Sequence, residues 1–230
     1  MTPDFRKLVY VPILHAQADL SAGAPGAQAD SGQTSSVRSL PCTLLRGENG
    51  KSGAKYKQFN AHDSAVCKMW AGITAKIEDL NLPWNKTRIY QDGLPVSGNE
   101  LEIVTRLAEN GSWNHRLILN LLMKGAKLEG TENMDFLMRE YDLLNILLMN
   151  NSGTEQTAAM AEYQAKSREL LSRRDEFIAD RIKTTLQEGE VSIVFMGVMH
   201  RLDKMLEKDF MISYVIYRIP FRSVGAIYNA

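Results

Sequence analysis

The chain lacks most of the features that would set it apart from an ordinary globular protein. It carries only two cysteines, Cys42 and Cys67, in 230 residues. They make neither a metal knuckle nor a disulfide framework, and a reducing compartment is the simpler reading. No apolar run reaches the roughly 18 residues that a membrane span needs. Neither charge is in excess, since 27 Lys and Arg face 27 Asp and Glu, so no global field draws in nucleic acid or anionic lipid. There is no internal repeat and no phosphate loop. Arg46–Tyr56 (RGENGKSGAKY) is glycine-rich, but it lacks the G-x-x-x-x-G-K-[ST] spacing and follows no strand. The N-terminus (MTPDFRKLVYVPILHA) sets charges ahead of a short apolar run, as a signal peptide does. Pro12 and His15 interrupt that run and no cleavage site follows, so the expectation is a cytoplasmic protein.

What is present suits a single domain over residues 1–230, with 44% hydrophobic and 23% charged residues and length enough for a core without disulfides. The chain is organised around Val191–Leu206 (VSIVFMGVMHRLDKML). Its β-branched and aromatic run to Met196 predicts a buried strand, Gly197 a turn, and Arg201–Lys208 a helix. Further strands are predicted at Leu8–Leu14, Thr87–Tyr90, Gly125–Glu129 and Ile212–Ile219. Apolar spacing of three and four predicts helices at His62–Leu80, Asn99–Glu109, Asn114–Met123, Met134–Met149 and Thr154–Leu186. On the last of these, Leu170, Leu171, Phe177, Ile178 and Ile182 mark the face laid on the sheet. Strands separated by helices imply an α/β fold with a central, largely parallel sheet flanked by helices. Residues 16–56, poor in anything to bury, read as a flexible or partly disordered loop. Residues 99–123 read as a helical insertion or cover.

Strand ends locate the candidate chemistry, because open α/β sheets place their sites at the carboxyl edge. His200 follows the glycine turn after the organising strand. His15 ends the first strand, and two neighbouring parallel strands would bring both imidazoles to one pocket. A carboxylate beside them would ligate a metal or act as a base for water. Asp92 after the Thr87–Tyr90 strand, Glu129 at the end of GAKLE, Glu132 and Asp19 all offer one. Each also has a plain reading as a turn or N-cap carboxylate, and each histidine as one satisfied by a loop carbonyl. Arg173, Arg174 and Asp175 read as a solvated helix face. His62 and His115 are assigned nothing.

VYVPILHAQAD near the N-terminus, and RRDEFIADRI leading to VSIVFMGVMHRL, resemble the TraB/Tiki group within the erythromycin-esterase-like and ChaN-like superfamily. The resemblance covers about the first 20 residues and roughly Ser172–Leu206, with the middle matched by element order. It implies the EreA/ChaN-like (TraB-like) form of the α/β fold and a metal-dependent hydrolase centre built from two Gly-x-x-His motifs and an acidic residue. Gly197 and His200 match the second motif, Arg174 the helix arginine, and His15 the first histidine, with Pro12 where its glycine would stand. Asp92 follows the strand in the expected order for the acidic residue, and Glu129 is the nearest glutamate at a strand end. The chain is also similar to bacterial proteins sharing the IYQDGLP and LEGTE segments, from which no activity follows.

Two functions are therefore expected. In the first, His15, His200 and Glu129 hold a divalent ion (Mn, Zn or Co), and Glu129, Asp92 and Arg174 serve catalysis on an amide or ester of a small-molecule or peptide substrate. In the second, the same fold is a non-enzymatic module that binds a small ligand or regulates a partner. A metal-free variant of the first would use a histidine as general base.

Overall fold

The computed structural model of the protein describes residues 6–13, 61–149 and 153–217. Five strands form one parallel sheet: β1 (Arg6–Ile13), β2 (Thr87–Gln91), β3 (Lys127–Glu129), β4 (Val191–Gly197) and β5 (Phe210–Tyr214), in spatial order β3-β2-β4-β1-β5. The helices are α1 (Ala61–Asp79), α2 (Glu100–Glu109), α3 (Trp113–Met123), α4 (Met134–Met149), α5 (Gly153–Thr185) and the short α6 (Leu202–Leu206).

The central strands β1, β2 and β4 are largely buried on both faces, which explains the near-continuous apolar runs of β1 and β4. Alternate residues sort to opposite sides. Val9, Val11, Ile89, Ile193 and Phe195 meet Trp70, Ile73 and Ile77 of α1, Val104 of α2, and Leu117, Ile118 and Leu121 of α3. Leu8, Tyr10, Tyr90, Val194 and Met196 meet Ile178, Ala179 and Ile182 of α5, Leu186 just beyond it, and Leu202 and Leu206 of α6. The apolar face predicted for α5 is thus shared out. Ile178 and Ile182 lie on the sheet, whereas Phe177 packs edge-on against Phe136 of α4 at 6.4 Å between ring centroids. The helices at 99–123 form the β2-to-β3 crossover and contribute to the main core, so they are integral to the sheet's cover. The last strand begins two residues earlier than its apolar run and ends at Tyr214.

The strand order positions the site. From β2 the chain leads outward to β3 at one edge, while from β4 it leads past β1 to β5 at the other. Connections leaving the adjacent strands β2 and β4 therefore diverge, and a crevice opens at their carboxyl ends. The strand before His15 does run beside the strand before His200, with Ile13 opposite Gly197. His15, Asp19 and the segment 16–56 lie outside the described residues. Cys67 is disulfide-bonded, which corrects the expectation of reduced thiols. No helix among the described residues is long and apolar enough to cross a membrane.

Candidate metal centre

Three chain segments converge on the crevice. Asp92 follows β2 in an Asp-Gly turn, with Gly93 at φ +74°. The Asp92 amide donates to the Phe195 carbonyl (2.9 Å), and its Oδ2 accepts from the Gly197 amide (2.9 Å), tying the end of β2 to β4. Oδ1 remains turned to the crevice.

Glu132 lies three residues beyond β3. A Cβ at Gly130 would stand 2.8 Å from the Val96 Cα and 2.9 Å from the Pro95 carbonyl oxygen, so only glycine lets the two loops approach this closely. The approach lets the Val96 amide donate to the Glu132 carbonyl (2.9 Å) and the Glu132 amide to the Leu94 carbonyl (3.0 Å). Glu132 is fully buried as a result.

His200 is held by the turn after β4, where its amide donates to the Gly197 carbonyl (3.1 Å). Its Nδ1 is 2.6 Å from Oδ1 of Asp175 on α5, and the other Asp175 oxygen accepts from the Arg201 amide at 3.0 Å. Nδ1 therefore carries a proton towards Asp175, and Nε2 is turned to Asp92 Oδ1 at 3.4 Å.

One atom each of Asp92, Glu132 and His200 lie within 4.8 Å of one another, all three residues buried. Two ligands of a tetrahedral ion, each at about 2.0–2.2 Å, stand about 3.3–3.6 Å apart, close to the spacing of Asp92 and His200. Two carboxylate oxygens and one imidazole nitrogen are a donor set suited to Mn, Zn or Co. A histidine whose far nitrogen is fixed by a carboxylate is the usual support for such a ligand.

Arg174, adjacent to Asp175 on α5, completes the cluster. Its Nε lies 3.2 and 3.1 Å from the two Glu132 oxygens. Nη2 donates to Glu132 Oε1 (2.6 Å) and to Asp92 Oδ1 (3.0 Å), and Nη1 to Glu140 of α4 (2.6 Å). Burial works against charge on His200, yet its hydrogen bonds to Asp175 and Asp92 outweigh that and push its pKa up to about 10. Burial likewise raises the pKa of Glu132 despite the arginine beside it. Three buried carboxylates thus face one permanent cation and one imidazole, an arrangement that favours uptake of positive charge.

Comparison of the chain with family models, curated proteins and solved structures finds no match.

Of the residues singled out in the sequence, Asp92, His200 and Arg174 are brought together. Glu129 is not among them. Still within the strand, it ion-pairs with Arg88 and reaches Arg181 at 3.5 Å. The glutamate that joins the centre is Glu132, where the chain has turned over the strand ends. It is no solvated turn carboxylate, and Arg174 and Asp175 are no solvated face, since both are buried. Arg173 does behave as a surface charge, pairing with Glu169 one turn away at 2.7 Å. His115 is structural: its amide donates to the N-cap hydroxyl of Ser112, which also contacts its Nδ1 at 2.7 Å.

By sequence, Asp175 reads as a solvated helix charge and Glu132 as a turn carboxylate, and the structure buries both. A helical stripe pointed to Arg174 and its neighbour Asp175, because Arg174, Ile178 and Ile182 recur every four residues along the buried face of α5, with Leu186 continuing the spacing just beyond it.

Proposed function

We propose that the chain is a metal-assisted hydrolase of an amide or ester bond, with Asp92, Glu132 and His200 as the protein's ligands for a divalent ion. The supporting observation is the buried juxtaposition of these three side chains, with the imidazole aimed by Asp175. Bound there, Mn, Zn or Co would supply a water acidified from a pKa of about 15.7 towards about 7. Asp175 orients the imidazole. Glu132, whose proton affinity burial raises, suits the acceptance of a proton from the attacking water. The Arg174 guanidinium is the donor for the developing oxyanion. A metal-free route with His200 as general base is disfavoured, because with its pKa at about 10 the imidazole is already protonated at neutral pH.

One observation favours the alternative of a small-ligand-binding or regulatory module: Arg174 already occupies both oxygens of Glu132 and one of Asp92. Protein purified without chelator separates the two. The hydrolase reading expects a bound divalent ion and turnover of a generic ester that falls at least a hundredfold in His200→Ala. Thermal stabilisation by a small molecule but not by Mn, Zn or Co, with no turnover, would support the module instead.

A further inference from the structure

The guanidinium of Arg174 and a divalent ion require the same oxygens. Asp92 Oδ2 is committed to the Gly197 amide at 2.9 Å, so Oδ1 is the oxygen available to an ion, and Oδ1 is where Arg174 Nη2 binds at 3.0 Å. The same Nη2 lies 2.6 Å from Glu132 Oε1, and Nε is 3.1 Å from Oε2. One nitrogen thus bridges the two carboxylates that an ion would bridge, and the positive charge it brings is the charge an ion would supply. Arg174 also has a third partner outside this overlap. Nη1 donates to Glu140 at 2.6 Å, and the Glu140 side chain is 36% exposed, at the rim of the cluster.

We propose that Arg174 is the resident counter-cation of this centre and binds the Glu132 and Asp92 carboxylates in competition with a divalent metal ion, retreating onto Glu140 when the ion enters. Loading is then an exchange of one cation for another in a buried site, where neither carboxylate is left uncompensated. The exchange frees Nε and Nη2 beside the ion to donate to a bound carbonyl oxygen. The inference rests on the metal reading of the site, and its test separates the two.

The test is calorimetric titration of the full chain with Mn(II) and with Zn(II), comparing wild type, Arg174→Met, Arg174→Lys and His200→Ala, each checked for folding by circular dichroism. Competition predicts that Arg174→Met binds the ion at least tenfold more tightly than wild type. Arg174→Lys should also bind more tightly, because a single ammonium cannot span both carboxylates as the fork does. A charge acting only from a distance would leave the lysine variant like wild type, which would overturn the proposal. In wild type, the slowly exchanging Arg174 Nε–H signal should lose its protection as ion is added, and retained protection at saturation would equally overturn it.

Equal or weaker binding by both arginine variants, with wild type loaded, removes the competition and leaves the hydrolase reading intact. Binding by both arginine variants but not by wild type supports the competition and removes the hydrolase reading for the wild-type chain. Uptake by none of the folded proteins removes both.

Discussion

His200 has two nitrogens with separate tasks, and both can be tested. Nδ1 is fixed by Asp175 at 2.6 Å, so Asp175→Asn should weaken metal binding by roughly 10–100-fold, as loss of a carboxylate behind a ligating imidazole commonly does. Isothermal titration reads this, and unchanged affinity would remove Asp175 from the site. The same hydrogen bonds raise the imidazole pKa from 6.5 to about 10. A folded-state pKa above the unfolded one gives stability that is fully present below about pH 6.5 and lost as pH rises towards 10. The ion-free protein should therefore exceed His200→Gln in stability by on the order of 4 kcal/mol at pH 6, with the gap closing by pH 10. Urea melts across that range check it, and a constant gap would contradict the assignment. Because ligation requires the neutral imidazole, apparent ion affinity should rise with pH over the same window, by up to about tenfold per unit.

Among elements, the segment after β3 shows how a short stretch can decide a site. Glu129 and Glu132 are three residues apart, but one still belongs to the strand and pairs with Arg88, while the other lies over the strand ends and is fully buried. Gly130→Ala should cost about 1–3 kcal/mol, because the added carbon meets backbone at 2.8 and 2.9 Å rather than a yielding side chain. Ion binding should weaken with it as Glu132 shifts. Denaturant midpoints together with titration test both parts, and a neutral substitution would mean the loops are not clamped here. Phe195 of β4 is wholly buried, and Phe195→Ala should cost about 3–5 kcal/mol in the same assay.

The sequence made the elements legible because their signals are local. A β-branched run bounded by Gly189 and Gly197 reads as β4, and apolar spacing of four reads as α5. The choice between Glu129 and Glu132 was not local. It depends on a close approach of two loops that are some 35 residues apart in the chain, which composition and periodicity do not register. Arg174 and Asp175 misled for a related reason. Charged residues on a long, strongly charged helix are ordinarily solvated, and only their alignment with the buried stripe below marked them as interior.

Across the whole molecule, one arrangement accounts for the site. A parallel sheet covered on both faces leaves its carboxyl edge as the place where side chains from β2, β3, β4 and α5 can meet, and the connections leaving β2 and β4 part there. Among the described residues, three buried carboxylates, Asp92, Glu132 and Asp175, face Arg174 and one imidazole, so the charges gathered at that point do not balance. A ligand ion bound at about a hundred times its Kd should stabilise the fold by about 2.7 kcal/mol, visible as a raised melting temperature. The most direct measurement is the metal stoichiometry of the purified chain, dialysed against Mn, Zn or Co and read by inductively coupled plasma mass spectrometry beside Asp92→Asn and His200→Ala. The account predicts a single tightly held ion per wild-type chain and its loss from both variants. A wild-type chain that stays free of metal under saturating ion, or variants that hold as much as wild type, would contradict it.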